Sequence, residues 1–491
     1  VRAIFYDLET SDAEPIAQIL NYSFIAVDEA FSPIAECSGE IQLSRLQLPS
    51  PEAILKNRVD VRAHRARPLP SEHEAMRGIA GFVQRMIDES KAPVAMIGFN
   101  SNKFDLPRVR TSFIRNGMNP YFGGKIQYRD LLSSVRALYV RNPEFPRPER
   151  LNEEGVPTLS LSLEEVTRAL GILEKPQSHH SREDVLLTIA LAKVLKERFS
   201  LDVRHAPGFE VAELLSTPRW RAEAGLCLWR LQPQYEDGHE ARACRTPFVV
   251  LDADHRSCLM VDLEHYAEGE GSSSIRWFNF STGEFLFGGE GAPGELLHAG
   301  EGQFRLGDLA ASARREFAPI NLKNYFDKST CDIEQDIYRI DFQGIEALAK
   351  LIREGGSLPR DKSPHKTENP NGNPRRERSP LDDIRVLLVR YRLRESKTLD
   401  AEGQRILASY GRYRYGGTMR LTKHETFDEE GRPEPRYHPS LKDLFQKINE
   451  RLKGVEASTD PRMVEDRRLL ESLKSYYLSS ELVQLIGEEL R

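Results

Sequence analysis

Apolar positions in the first 200 residues follow two different spacings. "RAIFYDLE", "NYSFIAVD" and "SPIAECSGEIQL" alternate every second residue or run apolar between turn residues, which predicts three successive strands and an antiparallel meander. "PSEHEAMRGIAGFVQRMIDES" changes to the helical spacing, with Ser71 placed as its N-cap. "PVAMIGFN" predicts a further strand, and "LPRVRTSFIRNG" a helix closed by Gly117. Two more helices are predicted at "LSLEEVTRALGI" and "SREDVLLTIALAKVLKERF". Strands first, then strands alternating with helices, predict an α/β domain with a mixed sheet flanked by helices, over residues 1–203.

The pattern changes after that. "PFVVLDADHRSCLMVDLE" and "IRWFNFSTGEFLFGGEG" read as strand pairs separated by turn residues, so 204–352 is predicted as a small β-rich unit closed by a helix at "IYRIDFQGIEALAKLI". Residues 353–380 are rich in Pro, Gly, Asn and charge with no apolar face, which predicts a polar linker. From 381 to 491 long amphipathic stretches such as "LDDIRVLLVRYRLR" and "RRLLESLKSYYLSSELVQLIGEEL" predict a helical domain.

Composition narrows the classes. With 39% hydrophobic and 29% charged residues, a chain of 491 residues has material for two or three globular domains. No apolar run is long enough to span a bilayer, and the N-terminus lacks a signal-peptide layout, so no membrane partner is expected. Five scattered cysteines without a CxxC pair argue against a disulfide framework or a cysteine zinc site, and a cytoplasmic location is expected. A net charge of −6 means that a polyanionic ligand would need a local basic groove or metal ions.

The first strand ends in Asp7 and Glu9, which leave the same face of a strand because they are two residues apart. Adjacent like charges repel unless a cation shares them, and a hard divalent ion such as Mg²⁺ prefers carboxylate oxygens. An isolated pair of this kind is more often a solvated strand end. Here a second apolar strand leads to Asp105 in "IGFNSNKFD", and Asp184 stands near the start of a long apolar helix in "HHSREDV". Helix N-capping is the ordinary role for Asp105, and a capping box from Ser181 to Asp184 is the ordinary role for the other. Three acidic sites at strand ends and helix starts of one domain, with a histidine beside the last, fit chance poorly.

"FYDLET", "IGFNSNKFD" and "SHHSREDV" resemble, in order, the three motifs of the DEDD exonucleases. His179 stands five residues before Asp184, the spacing of the DEDDh branch, and within it the chain is most similar to the exonuclease I family. "YRDLLSSVRALY" and "LSLEEVTRALGI" add to a resemblance that covers residues 1–200. It weakens over the β-rich region and resumes at "VLLVRYRLRESKTLDAEGQRIL". The resemblance implies an RNase H-like exonuclease domain, an SH3-like domain and a helical domain. It implies 3′→5′ digestion of single-stranded DNA to nucleoside monophosphates, in DNA repair or recombination. Two divalent ions, Mg²⁺ or Mn²⁺, would be held by Asp7, Glu9, Asp105 and Asp184, with His179 accepting the proton of the attacking water. The backbone at Leu8 and Thr10 would meet the terminal nucleotide. A single-strand DNA-binding protein is the implied partner of a monomeric enzyme.

In the C-terminal part, arginines and tyrosines interleave at "RYRLRESK" and "YGRYRYGG". Arginines can neutralise phosphates while tyrosines stack on unpaired bases, which makes Arg392, Arg412 and Tyr413 candidate nucleic-acid contacts. A solvated helix face with aromatic stems in the core explains the same pattern equally well. Two other functions stay open: a DEDDh exonuclease acting on RNA or in proofreading, and a non-catalytic nucleic-acid-binding repair protein. A matched DNA and RNA digestion separates the first; the intact set of acids disfavours the second.

Overall fold

The computed structural model describes residues 3–14, 16–152, 154–173, 180–204, 227–236, 239–253, 257–279, 293–300, 302–317, 366–368, 374–376, 393, 398–417, 420–427 and 433–489. Strands Ala3–Thr10 (β1), Ile19–Val27 (β2) and Pro33–Glu40 (β3) form the expected antiparallel meander. Short helices Pro51–Asn57 (α1) and Val61–Ala66 (α2) lead to the long helix Glu72–Asp88 (α3). Ser71 caps α3 in a reciprocal box with Glu74, worth about 1 kcal/mol. Val94–Gly98 (β4) then pairs parallel with β1, and Ile126–Asp130 (β5) parallel with β4, giving a mixed sheet of order β3-β2-β1-β4-β5. Helix Asp105–Arg115 (α4) joins these two strands, and Gly117 beyond its end takes the left-handed backbone that glycine tolerates.

Strand parity sorts the core. Ala3 and Phe5 point to a cluster with Leu131–Arg141 (α5), Leu163–Ala169 (α6) and Ser181–Phe199 (α7); Ile4, Tyr6 and Leu8 point to one with α3 and α4. Asp7 and Glu9 therefore continue the face that looks toward α7. A small hairpin, Glu149–Leu151 (β6) with Pro157–Leu159 (β7), lies between α5 and α6 in the chain.

The second region contains Cys227–Glu236 (β8), His239–Ala253 (β9), Ser257–Asp262 (β10), helix Leu263–Ala267 (α8) and Ile275–Asn279 (β11). The four strands form one sheet of order β11-β10-β9-β8, with all neighbours antiparallel. Leu296–Ala299 (β12) and Gly302–Arg305 (β13) make a hairpin leading into helix Leu306–Glu316 (α9), whose Leu309, Ala310 and Ala313 pack with Val249, Leu259 and Val261. The region is β-rich as expected. The closing helix predicted at "IYRIDFQGIEALAKLI" lies outside the described residues.

Two expectations need correction. Within the polar segment 353–380, Lys366–Glu368 (β14) and Pro374–Arg376 (β15) pair antiparallel. Residues 369–373, with Gly372 among them, separate the two strands, and a short connection containing glycine is one that hairpins use. Nor is the C-terminal part helical throughout. After helix Ala401–Tyr415 (α10), strands Arg420–Phe427 (β16) and Pro433–Tyr437 (β17) pair antiparallel. The β-branched and aromatic alternation of "RLTKHETF", bounded by glycines and prolines, favours strand there. Helices Leu441–Val455 (α11), Pro461–Ser479 (α12) and Glu481–Glu489 (α13) follow, so the last long amphipathic stretch breaks at Ser480. The stretch "LDDIRVLLVRYRLR" lies outside the described residues apart from the buried Leu393.

The C-terminal helices share a core with the first region. Leu43, Leu46, Leu48, Ile54 and Val61 cluster with Leu407, Leu444, Ile448, Leu473 and Ile486. Three tyrosines grip the intervening segment. The Tyr415 hydroxyl accepts from the Leu48 amide at 2.9 Å, and the Tyr476 and Tyr477 hydroxyls donate to the carbonyls of Gln47 (3.1 Å) and Pro49 (2.6 Å). Gly411 makes the close approach of α10 to α13 possible, since a Cβ there would meet Leu482 at 2.5 Å. Among the described residues, no helix is long and apolar enough to cross a membrane.

Candidate metal and active site

Asp7 and Glu9 stand at the C-terminal end of β1, beside the start of α7. Carboxylate oxygens of Asp7, Glu9 and Asp184 all lie within 4.8 Å of one another. The expected capping box from Ser181 to Asp184 does not form. The residue before α7 is His180, whose carbonyl accepts from the amides of Glu183 (2.9 Å) and Asp184 (3.1 Å). Ser181 is the first helical residue and makes no capping bond; fully buried, its hydroxyl donates instead to the Asn21 side chain and ties α7 to β2.

Asp105 also departs from N-capping. It is the first residue of α4, after Phe104, and its carboxylate takes the Leu8 amide while Oδ1 has no hydrogen-bond partner. The loop that delivers it is built on Asp130, which the sequence reading passed over. Asp130 accepts from the amides of Asn100 (2.8 Å), Asn102 (3.0 Å) and Leu132 (3.0 Å), and so clamps the turn after β4 while capping α5. Asn100 adopts the left-handed backbone, which asparagine tolerates better than most residues. Gly98 just before it is close-packed: a Cβ there would meet the Ser101 side chain at 2.4 Å and the Tyr6 carbonyl at 3.1 Å.

The electrostatics are those of a cation site. Burial first, then Asp105, Glu9 and Asp184, push the Asp7 carboxyl well above the usual carboxylate range. Glu9 is pushed up to about 8 and Asp105 to about 7, in both cases mainly by burial. Acids held this way are unfavourable as anions unless positive charge joins them. The donor set is all carboxylate, which suits a hard divalent ion, and the unpartnered Asp105 Oδ1 is a buried acceptor of the kind such an ion satisfies. The residues therefore fit a divalent metal.

The other candidates are placed as follows. His179 lies outside the described residues. His180 is exposed and lines a cavity of about 250 Å³ with Glu9, Asn57, Arg58 and His64. The Leu8 side chain is core. Thr10 donates its hydroxyl to the Asp12 carbonyl at 2.7 Å, and its own carbonyl accepts from Asn57 at 2.9 Å. Arg392 is outside the described residues; Arg412 is exposed and Tyr413 half-buried, whereas Arg414 and Tyr415 are fully buried. The arginine–tyrosine run is thus divided between surface and core.

The five-stranded mixed sheet with acids at its central strand end defines the class, an α/β fold of the exonuclease type. In particular, the chain is similar to exodeoxyribonuclease I. The *Escherichia coli* (strain K12) protein is 30% identical over 231 residues, 44% of this chain and 46% of that protein. The *Haemophilus influenzae* protein is 29% identical over 203 residues, 39% and 40% of the two chains. These alignments span less than half the length of the curated relatives they match. Solved structures align with the chain over most of its length. *E. coli* exonuclease I in complex with an oligonucleotide superposes with a TM-score of 0.60 at 18% identity, covering 96% of this chain and 98% of that one. A moderately thermophilic exonuclease I from *Methylocaldum szegediense* gives 0.55 at 19% identity and 99% coverage of both chains. No protein-family model matches the chain. The resemblance read from the three motifs, to the exonuclease I family, is borne out by the curated relatives, and the solved structures bear out the fold.

Proposed function

We propose that this chain is a divalent-metal-dependent 3′→5′ exonuclease that digests single-stranded DNA to nucleoside monophosphates. The observation that carries the reading is the convergence of Asp7, Glu9 and Asp184 from β1 and α7, with Asp105 delivered beside them by α4. Asp7, Glu9 and Asp184 would hold the metal, and Asp105 would help hold a second ion. Bound there, Mg²⁺ or Mn²⁺ supplies positive charge for the phosphodiester and lowers the pKa of water. His179, just before α7, accepts the proton of the attacking water. The Leu8–Thr10 backbone borders the 3′-terminal nucleotide. Arg392, Arg412 and Tyr413 contact the strand further out, in a helical domain beyond an SH3-like one.

One solved structure is of SSB/exonuclease I in complex with an inhibitor, which supports a single-strand DNA-binding protein as partner here. In this reading the enzyme acts as a monomer in the cytoplasm. The test is digestion of a 5′-labelled single-stranded oligonucleotide with Mg²⁺ and with EDTA, beside the matched RNA strand. A ladder of 3′-shortened DNA products only with Mg²⁺ is expected. Digestion that survives EDTA, or that prefers RNA, overturns the reading.

A further inference from the structure

Helix α1 carries a cation to the acid cluster. It is fixed at both ends. Ser50 caps it, accepting from the Ala53 amide at 3.2 Å, and Asn57 in its last turn donates to the Thr10 carbonyl at the end of β1. The next residue, Arg58, takes a left-handed backbone with φ 54° and pairs with Asp466 of α12. Left-handed backbone is unfavourable for a side chain of this kind, so a tertiary ion pair holds the end of α1 where local preference would not.

Lys56 lies between these anchors. Its Nζ stands 5.6 Å from the centroid of the Phe104 ring, the residue immediately before Asp105. Arg108 occupies the same ring at 3.6 Å, but that guanidinium belongs to a buried residue and is bonded to the Phe104 carbonyl. Lys56 is exposed, and among the described residues its ammonium forms no ion pair. Its charge is nonetheless felt by Asp7, Glu9 and Asp105, each of which it favours as the carboxylate. An accessible ammonium on a flexible stem, held against an aromatic face beside a metal-type carboxylate cluster, has the chemistry of a phosphate contact.

We propose that Lys56 is a substrate-contacting residue, receiving a phosphate of the bound strand at the mouth of the acid cluster while Phe104 supports its stem. This rests on the nuclease reading above. Substrate and metal then divide the charged side chains between them: the carboxylates take the divalent ions, and Lys56 takes the incoming phosphate.

The experiment compares the full chain with Lys56→Met and Lys56→Arg by calorimetric titration with thymidine monophosphate at saturating Mg²⁺, with uncharged thymidine as control. Mg²⁺ titration and steady-state digestion of an oligothymidylate complete the set. Lys56→Met should weaken nucleotide binding about tenfold and raise KM by a similar factor, with kcat unchanged and Mg²⁺ affinity moved by much less than that; Lys56→Arg should restore most of both. Unaltered nucleotide binding in Lys56→Met overturns the proposal. So does a change confined to Mg²⁺ affinity, which would make Lys56 only a counter-charge for the acids. If the parent chain fails to digest DNA at all, it is the nuclease reading that falls; an active parent with an indifferent Lys56→Met removes Lys56 alone.

Discussion

Glu9 and Asp12 are three residues apart, yet they sit in opposite kinds of charged interior. Around Glu9, carboxylates from β1, α4 and α7 crowd together and raise one another's pKa. Asp12, one turn of chain later, meets the C-terminal part of the molecule. The fully buried Arg414 lends it positive charge, and His438 stands 3.7 Å away. That histidine is held down to about 3, by burial and then by Arg414, so it is neutral and Arg414 is the cation of the node. Arg414 also donates to the Tyr415 hydroxyl at 3.1 Å and lies 3.4 Å from the Gln47 Oε1. One interior couples its acid to a buried cation of the same chain, and the other sets several carboxylates against the single exposed Lys56, which leaves negative charge in excess. A charged site that stability alone explains balances its signs; one that leaves an excess of one sign has another purpose.

The sharpest way to break this comparison is to remove an acid from each side. Asp7→Ala or Glu9→Ala should abolish digestion while the metal-free melting temperature holds or rises, because a repelling charge has gone. Digestion by either variant at near-normal rate would move the site elsewhere. His179→Ala should lower single-turnover cleavage by on the order of a hundredfold or more, the size of a lost general base, with His180→Ala close to normal. The reverse ranking would shift the base by one residue.

On the other side, Arg414→Met should destabilise the fold by about 3–5 kcal/mol in a urea melt, since it leaves Asp12 buried without its cation. Adding Asp12→Asn to that variant should restore part of the loss; strict additivity would mean that the two charges are not coupled. A gentler probe is pH. Carboxyl groups whose folded pKa is raised favour the folded state when protonated, and this advantage is lost as pH rises through the folded value. With Glu9 raised from 4.5 to about 8, metal-free protein should lose stability across that range relative to Glu9→Gln, and saturating Mg²⁺ should reverse the ranking, because the variant lacks a ligand for the ion. Parallel melting curves for the two proteins without metal would remove the acid cluster as the cause.

Much of this was legible in the sequence where the cause is local. The meander, the Ser71 cap and the parity of Asp7 and Glu9 depend on neighbours within a few residues. So did the three acidic motifs, whose helix-start positions were recognised although Asp105 and Asp184 turned out not to cap. What escaped is non-local. Asp130 looks like any acid before a helix, and only the folded loop reveals that its two oxygens hold Asn100 and Asn102. Arg414 read as half of an arginine–tyrosine surface pattern, because nothing near it in sequence announces Asp12 or Gln47. The hairpin of β14 and β15 is a different case, since its strands are polar throughout and carry no apolar alternation to set them apart from a linker.

The core shared by residues 43–61 and the C-terminal helices also sets an order of events during synthesis. A ribosome delivers β1, β2 and α1 long before α11, α12 and α13. Until those helices emerge, Ile54 lacks the C-terminal half of its cluster, Leu48 lacks the Tyr415 hydroxyl, and Arg58 has no Asp466 to hold the turn after α1. The wall of the acid cluster that carries Asn57 and Lys56 is therefore among the last parts of the molecule to settle. A nascent chain would hold its acids early and its finished cleft only near the end of translation.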